Sequence, residues 1–282
     1  MSERIVYVNG DYVPESKALI SVFDRGFLMS DAVYEVSAVI DGKLLDNQGH
    51  LLRLQRSLQE LGIPNPYTDA EWLAIQKKLL VDNDVKEGLV YLQVTRGQMD
   101  RDFLFDQSAL RPNVVLFTQK KTLTAEPKGL HVMSIEDIRW ARRDIKTTQL
   151  LAQSLAKMQA KAEGFDDCWF VENGLVTEGS SNNAWIIKNG KAITRPPSHE
   201  ILNGITRRAQ IGLLSALGLE FEERAFTLEE AMSADEAFST SASAFVNPVL
   251  SINRTPIGTG NVGEKTKALR AAYLKLAVEQ GV

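Results

Sequence analysis

The chain has 282 residues, of which 44% are hydrophobic and 24% charged, and a formal net charge of −4. As a prior, this length suggests two domains of about 140 residues each, with ample material for a buried core. The acidic balance leaves no electrostatic footprint for a nucleic acid and argues against an anionic membrane surface; no apolar run approaches a membrane span.

The single cysteine, Cys168, excludes an intrachain disulfide and fits a reducing compartment. It lies in a predicted strand, Asp166-Asp167-Cys168-Trp169-Phe170, where a packed thiol is expected. The opening residues, Met1-Ser2-Glu3-Arg4-Ile5-Val6-Tyr7, carry no apolar signal-peptide core, so a cytoplasmic location is expected.

In chain order, a strand over Ile5–Val8 meets the turn signal Asn9-Gly10. A second strand, Tyr34–Ile40, leads through Asp41-Gly42 into Lys43-Leu44-Leu45, a hairpin pattern. Residues 47–61 then switch to helical period. Leu51, Leu54, Leu58 and Leu61 form one apolar stripe, with Asn47 as the expected cap and Gly62 as the stop. Thr68-Asp69-Ala70-Glu71 reads as a capping box that opens another helix. Leu89–Thr95 and Val114–Thr118 are expected as buried strands. The polar stretch 119–129, with Pro127 and Gly129, marks the expected boundary between domains 1–120 and 121–282.

The second half begins with a strand near His131–Ile135. A helix follows Lys146, with Leu150, Leu151, Leu155 and Met158 expected to face inward and Gly164 to end it. Hairpins carry Asn173-Gly174 and Asn189-Gly190, and helices near 204–217 and 264–279 close the chain. Strands and helices mix in both halves, which predicts an α+β fold with sizeable antiparallel sheets.

Three features carry chemistry. Lys146 sits in Arg139-Trp140-Ala141-Arg142-Arg143-Asp144-Ile145-Lys146. Lysine attacks an aldehyde only as the neutral amine, which requires burial or a nearby cation, and Arg139, Arg142 and Arg143 are candidates for that cation. Glu178 follows the Asn173-Gly174 hairpin and precedes Gly179-Ser180-Ser181-Asn182-Asn183. An acid there suits a pyridine nitrogen, although alone it reads as a turn glutamate. Gly204-Ile205-Thr206-Arg207 opens an amphipathic helix with Ile211, Leu214 and Leu217 on one face, and its exposed N–H groups favour a phosphate. A reactive amine, a lone acid and a phosphate-binding helix start are what pyridoxal phosphate needs from a protein. Arg53 lies off the leucine stripe; periodicity alone favours a solvent-facing arginine, with a bidentate phosphate contact as the functional alternative. His50, His131 and His199 lack metal-ligand spacing, so no metal is expected. No Walker loop, dinucleotide fingerprint or nucleophile elbow is present.

These residues resemble those of the class IV aminotransferases, the fold-type IV pyridoxal phosphate enzymes. The resemblance runs from Tyr7-Val8-Asn9-Gly10 to the last helix and is most specific from Glu178-x-Ser180-x-x-Asn183 through Thr194 to Leu202-x-Gly204-Ile205-x-Arg207. Trp185 and Ala192 depart from the usual pattern as packing changes. Phe23-Asp24-Arg25-Gly26-Phe27, Asp31-Ala32-Val33-Tyr34-Glu35-Val36 and Thr95-Arg96-Gly97 followed by Arg101 are most similar to the D-amino acid transaminase branch.

The resemblance implies a smaller N-terminal α/β domain, a larger C-terminal pseudo-barrel, an active site in the cleft between them, and a homodimer. It implies Lys146 as the covalent attachment and proton shuttle, and Glu178 at the pyridine nitrogen. Arg53, Ile205, Thr206 and Ser241 become cofactor contacts, with Ala242 contributing main chain only and Leu202 packed behind the ring. Tyr34 and Arg101 bind the substrate carboxylate, the arginine from a neighbouring subunit. Phe103 stands where those enzymes commonly have His, which removes a carboxylate donor that Arg25 or Arg101 would have to replace. The implied reaction is ping-pong transfer of an amino group from a D-alanine-like donor to a 2-oxo acid such as 2-oxoglutarate or pyruvate. An (R)-amine transaminase, a branched-chain L-enzyme, an aminodeoxychorismate-type lyase and a cofactor-holding protein without chemistry are the alternatives.

Overall fold

The computed structural model describes residues 3–282. The chain forms two compact units. The first comprises the chain up to Thr124 together with Ile145–Gln149 and Gln280–Val282; the second comprises Ala125–Asp144 and Leu150–Glu279. Strands and helices mix in both, giving an α+β fold.

In the first unit, β1 (Ile5–Val8), β2 (Asp11–Pro14), α1 (Arg25–Met29), β3 (Ala32–Ile40), β4 (Lys43–Leu44), α2 (Asn47–Glu60), α3 (Asp69–Asp82), β5 (Gly88–Thr95) and β6 (Asn113–Lys120) follow in order. The sheet runs β2-β1-β6-β5-β3-β4 and is antiparallel throughout. Its hairpins turn where expected: Asn9 and Gly10 have φ 51° and 110°, and Asp41 and Gly42 have 54° and 73°. Left-handed pairs of this kind match the strand twist. Leu51, Leu54 and Leu58 of α2 are buried, as are Trp72, Ile75 and Leu79 of α3. Thr68 and Glu71 form the capping box.

Asn47 is not a cap. Asp46, at φ 52°, precedes the helix without a side-chain cap. The Asn47 amide is buried instead, donating to Gln76 Oε1 at 2.9 Å and accepting from Ser37 Oγ at 3.4 Å. A buried amide must find side-chain partners, and these come from β3 and α3 rather than from the helix terminus.

The second unit holds β7 (Leu130–Glu136), α4 (Leu151–Ala162), β8 (Asp167–Glu172), β9 (Leu175–Gly179), β10 (Asn183–Lys188), β11 (Lys191–Thr194), α5 (Ile205–Leu214), β12 (Glu220–Glu223), α6 (Leu228–Met232), β13 (Glu236–Ser241), β14 (Phe245–Ile252), β15 (Thr255–Pro256) and α7 (Glu264–Gln280). Its sheet runs β12-β11-β10-β13-β14-β7-β8-β9, with β15 on β14. It is mixed: β11/β12, β14/β7 and β7/β8 pair parallel. Trp169 and Trp185 are fully buried on it, and Trp185 stacks on Phe238 with centroids 5.5 Å apart. Ala192 packs in the same core as Trp185.

The inward face of α4 reverses the sequence expectation. Leu151, Leu155 and Met158 are 72%, 58% and 66% exposed, and Leu150 is also exposed. Ala156 and Ala160 face inward, against Phe165, Cys168 and Phe170. The helix carries two apolar faces, and the small one permits the close approach that β8 and its aromatic side chains require.

Candidate functional site

Lys146 lies in the first unit. Residues Ile145–Gln149 run alongside β3: Tyr34 N donates to Lys146 O at 3.0 Å, and Thr148 N donates to Ala32 O at 3.1 Å. This extended pairing brings Lys146 Nζ to 4.1 Å from the centroid of the Tyr34 ring. Lys146 is half-buried and has no ion-pair partner among the described residues. Tyr34 is itself fixed, stacked on Tyr91 at 5.6 Å, with Tyr91 stacked on Phe117 at 4.7 Å.

Arg53 is not solvent-facing. Its guanidinium forks onto Glu35, Nε to Oε1 and Nη2 to Oε2, each at 2.8 Å. His50 Nδ1 lies 2.7 Å from Glu35 Oε2. Burial alone pushes the Glu35 carboxyl up, but the Arg53 charge, reinforced by its hydrogen bonds and by His50, brings it down to about 2. An arginine is retained in a buried place only where an anion compensates it. His50 and Arg53 stand three residues apart on α2, and that spacing is the signal that places both on one helix face.

Arg25 is buried and occupied. Its Nε binds Asp31 Oδ2 at 2.8 Å and its Nη1 donates to Asp102 O at 2.7 Å. Its guanidinium therefore braces the loop between β5 and β6 instead of standing ready for a substrate. Arg101 and Phe103 lie exposed on that loop, the Arg101 guanidinium 5.5 Å from the Phe103 ring.

Glu178 lies in the second unit. It is not in a turn; it lies on β9, is buried, and accepts hydrogen bonds at both carboxylate oxygens. Its Oε1 accepts from Arg139 Nη1, and its Oε2 accepts from Asn183 Nδ2 at 3.0 Å and from Leu202 N at 3.1 Å. Burial pushes the Glu178 carboxyl above the usual range, while Arg139 and the Leu202 amide pull against it. Arg139 is held from behind by Asp137, Nε to Oδ1 at 2.9 Å and Nη2 to Oδ2 at 2.7 Å. Arg143 forks onto Glu172, and Arg142 onto Asp144. All three arginines, the candidate cations for Lys146, thus have carboxylate partners within the second unit.

Asn183 ties the acid to the helix start. Its Nδ2 also donates to Leu202 O at 2.8 Å, and a Cβ on Gly204 would collide with its Oδ1. Only glycine fits this approach. α5 begins at Ile205 with no side-chain cap bond. Ile205 and Thr206 are buried, and Thr206 Oγ1 has no hydrogen-bond partner. An uncapped N-terminus with an orphaned hydroxyl is deficient in acceptors, the deficit an anion fills. Asn183 pairs with Thr240, so the Ser241-Ala242 turn lies at the same end of the sheet. Ser241 Oγ accepts from Ala244 N at 3.2 Å. Sequence reasoning missed the anchoring of Glu178 by Arg139, and the Glu35–His50–Arg53 group.

The family described as Amino-transferase class IV matches residues 32–252. A D-alanine aminotransferase of Staphylococcus epidermidis is 36% identical over 272 residues, 96% of each chain. Among solved structures, the branched-chain amino acid aminotransferase of Escherichia coli aligns with a TM-score of 0.90 at 22% identity, covering 98% of this chain and 95% of that one. The PLP-form of the branched-chain enzyme of Thermobaculum terrenum aligns at 0.86 and 24%, covering 99% and 95%. The similarity spans nearly the whole chain, in sequence and in fold, and this protein belongs to the class IV aminotransferases.

Proposed function

We propose that this protein is a pyridoxal 5'-phosphate-dependent transaminase that moves the amino group of D-alanine-like donors to a 2-oxo acid such as pyruvate or 2-oxoglutarate. The observation that carries this reading is the 36% identity to a D-alanine aminotransferase across 96% of both chains. The branched-chain enzymes share the fold at 22% and 24% identity.

The residues present fit the cofactor. The uncapped start of α5 and the orphaned Thr206 hydroxyl suit a phosphate, and Lys146 offers an amine without a counter-ion. In this reading Lys146, Glu178, Arg53, Leu202, Ile205, Thr206, Ser241 and Ala242 are the cofactor contacts. When bound, pyridoxal phosphate supplies an aldehyde that captures amines and a ring that accepts the electron pair released at the α-carbon.

Lys146 Nζ would hold the cofactor at its aldehyde, and as a free amine it would take up and return the proton at the substrate α-carbon. Glu178 holds a proton at the ring nitrogen, and its raised carboxyl is suited to sharing one. Arg139 keeps that carboxylate in place. The Ile205 and Thr206 N–H groups bind the phosphate, with Arg53 as a charged partner. Tyr34 and Arg101 orient the substrate carboxylate, Arg101 coming from the second protomer of a cytoplasmic homodimer. The exposed Leu151, Leu155 and Met158 give apolar surface that supports self-association.

A second reading, transamination of apolar (R)-amines, draws on Phe103, which is 75% exposed beside Arg101 where a histidine is common in D-amino acid enzymes. The test is a half-reaction panel of D-alanine, L-leucine and (R)-1-phenylethylamine, each followed by cofactor colour. Rapid bleaching by D-alanine is expected; bleaching by L-leucine alone would overturn the reading.

A further inference from the structure

We propose that Phe105, clamped by the neighbouring guanidiniums of Arg25 and Arg96, is a positioning residue that sets the Arg101 loop for recognition of the substrate carboxylate. The inference rests on the reading above, in which Arg101 binds that carboxylate.

The loop between β5 and β6 has a narrow neck. Gly97 has φ 114°, and a Cβ there would collide with Arg111 O. Beyond the neck, two arginines hold the loop from beneath. Arg25 Nη1 donates to Asp102 O at 2.7 Å, next to Arg101, and Arg96 Nη1 donates to Gln107 Oε1 at 2.8 Å. Between these two ties sits Phe105, with the Arg25 guanidinium 4.6 Å and the Arg96 guanidinium 4.4 Å from its ring centroid. Two like charges this close need an anion. Asp31 supplies it, its Oδ2 accepting from Arg25 Nε at 2.8 Å and from Arg96 Nε at 2.7 Å.

Phe105 is 39% exposed, so it is no ordinary core side chain. Both guanidiniums lie within cation–π distance of its ring, an attraction that a π-system provides and an aliphatic side chain does not. Arg101, by contrast, makes a ring contact with Phe103 alone among the described residues. Its position is inherited from the tethered neighbours at Asp102 and Phe105.

The experiment compares the holoenzymes of Phe105→Leu, Phe105→Trp and Arg101→Met with the parent. For each, kcat and KM for D-alanine, the melting temperature, and the rate of trypsin cleavage after Arg101 are measured. Phe105→Leu is expected to raise KM about tenfold while kcat changes less than about twofold. Its cleavage at Arg101 should quicken, and Phe105→Trp should restore both. A normal KM and normal cleavage in Phe105→Leu, with KM raised in Arg101→Met, overturn the clamp and leave the carboxylate reading standing. A lowered melting temperature in Phe105→Leu with KM unchanged also overturns it, because the residue is then merely structural. An unchanged KM in Arg101→Met overturns the underlying reading, and with it the purpose assigned to the clamp.

Discussion

Glu35→Gln removes one buried charge and almost no volume, so it isolates the electrostatics of the Glu35–Arg53–His50 group. Burial pushes the Glu35 carboxyl up, and the Arg53 guanidinium outweighs that effect, with hydrogen bonds from Arg53 and His50 assisting; the outcome is a fall from the ordinary 4.5 to about 2. At about 1.4 kcal/mol per pH unit, this fall corresponds to about 3 kcal/mol of folding stability. The folded value lies below the unfolded one. The contribution is therefore complete above pH 4.5 and is lost as the pH falls towards 2. In the glutamine variant the Arg53 guanidinium stays buried opposite a neutral amide, and breaking a buried pair from one side typically costs about 3–5 kcal/mol. Urea unfolding at neutral pH, followed by tryptophan fluorescence, should show a loss of about 3 kcal/mol. A series from about pH 5 to about pH 3 should show a shallower acid limb in the variant than in the parent, because the titrating group is gone. A loss under about 1 kcal/mol at neutral pH, or identical acid limbs, would refute the reasoning.

Burial pushes the Cys168 thiol up to about 12, so iodoacetamide should label it only after unfolding; rapid labelling of the native protein would contradict a packed thiol. Thr206→Val removes an unpartnered hydroxyl, so stability without cofactor should change by less than about 0.5 kcal/mol, whereas affinity for pyridoxal phosphate falls roughly tenfold in an absorbance titration. An unchanged affinity would sever Thr206 from the phosphate. Ala160→Leu overpacks the face of α4 that meets Phe165, Cys168 and Phe170 and should cost about 1–3 kcal/mol in urea unfolding; a neutral result would mean that face is not buried.

Turns were the most legible part of the sequence, because the demand for positive φ is local. Asn173-Gly174 and Asn189-Gly190 turn at φ 52°, 77°, 51° and 76°, as the first unit's hairpins do. The leucine stripe of α2 was legible because Leu51, Leu54 and Leu58 recur at helical spacing on one buried face, with Leu52 alone exposed off it. α4 was not, because it presents a leucine face and an alanine face, and only the approach of β8 chooses between them. The burial of Arg53 depends on Glu35, eighteen residues away on another element. Arg139 reads locally as a partner of Asp137, but its contact with Glu178 spans 39 residues and is set by the pairing of strands. Side chains whose partners are distant in sequence leave no periodic trace, and these make up most of the candidate site.

The central claim is that Lys146 holds the cofactor covalently. Treating the resting holoenzyme with borohydride fixes that linkage, and peptide mapping then locates the added mass. The account predicts the tag on the peptide carrying Ile145-Lys146-Thr147 and full loss of labelling in Lys146→Ala. A tag on any other lysine, or none at all, would contradict it.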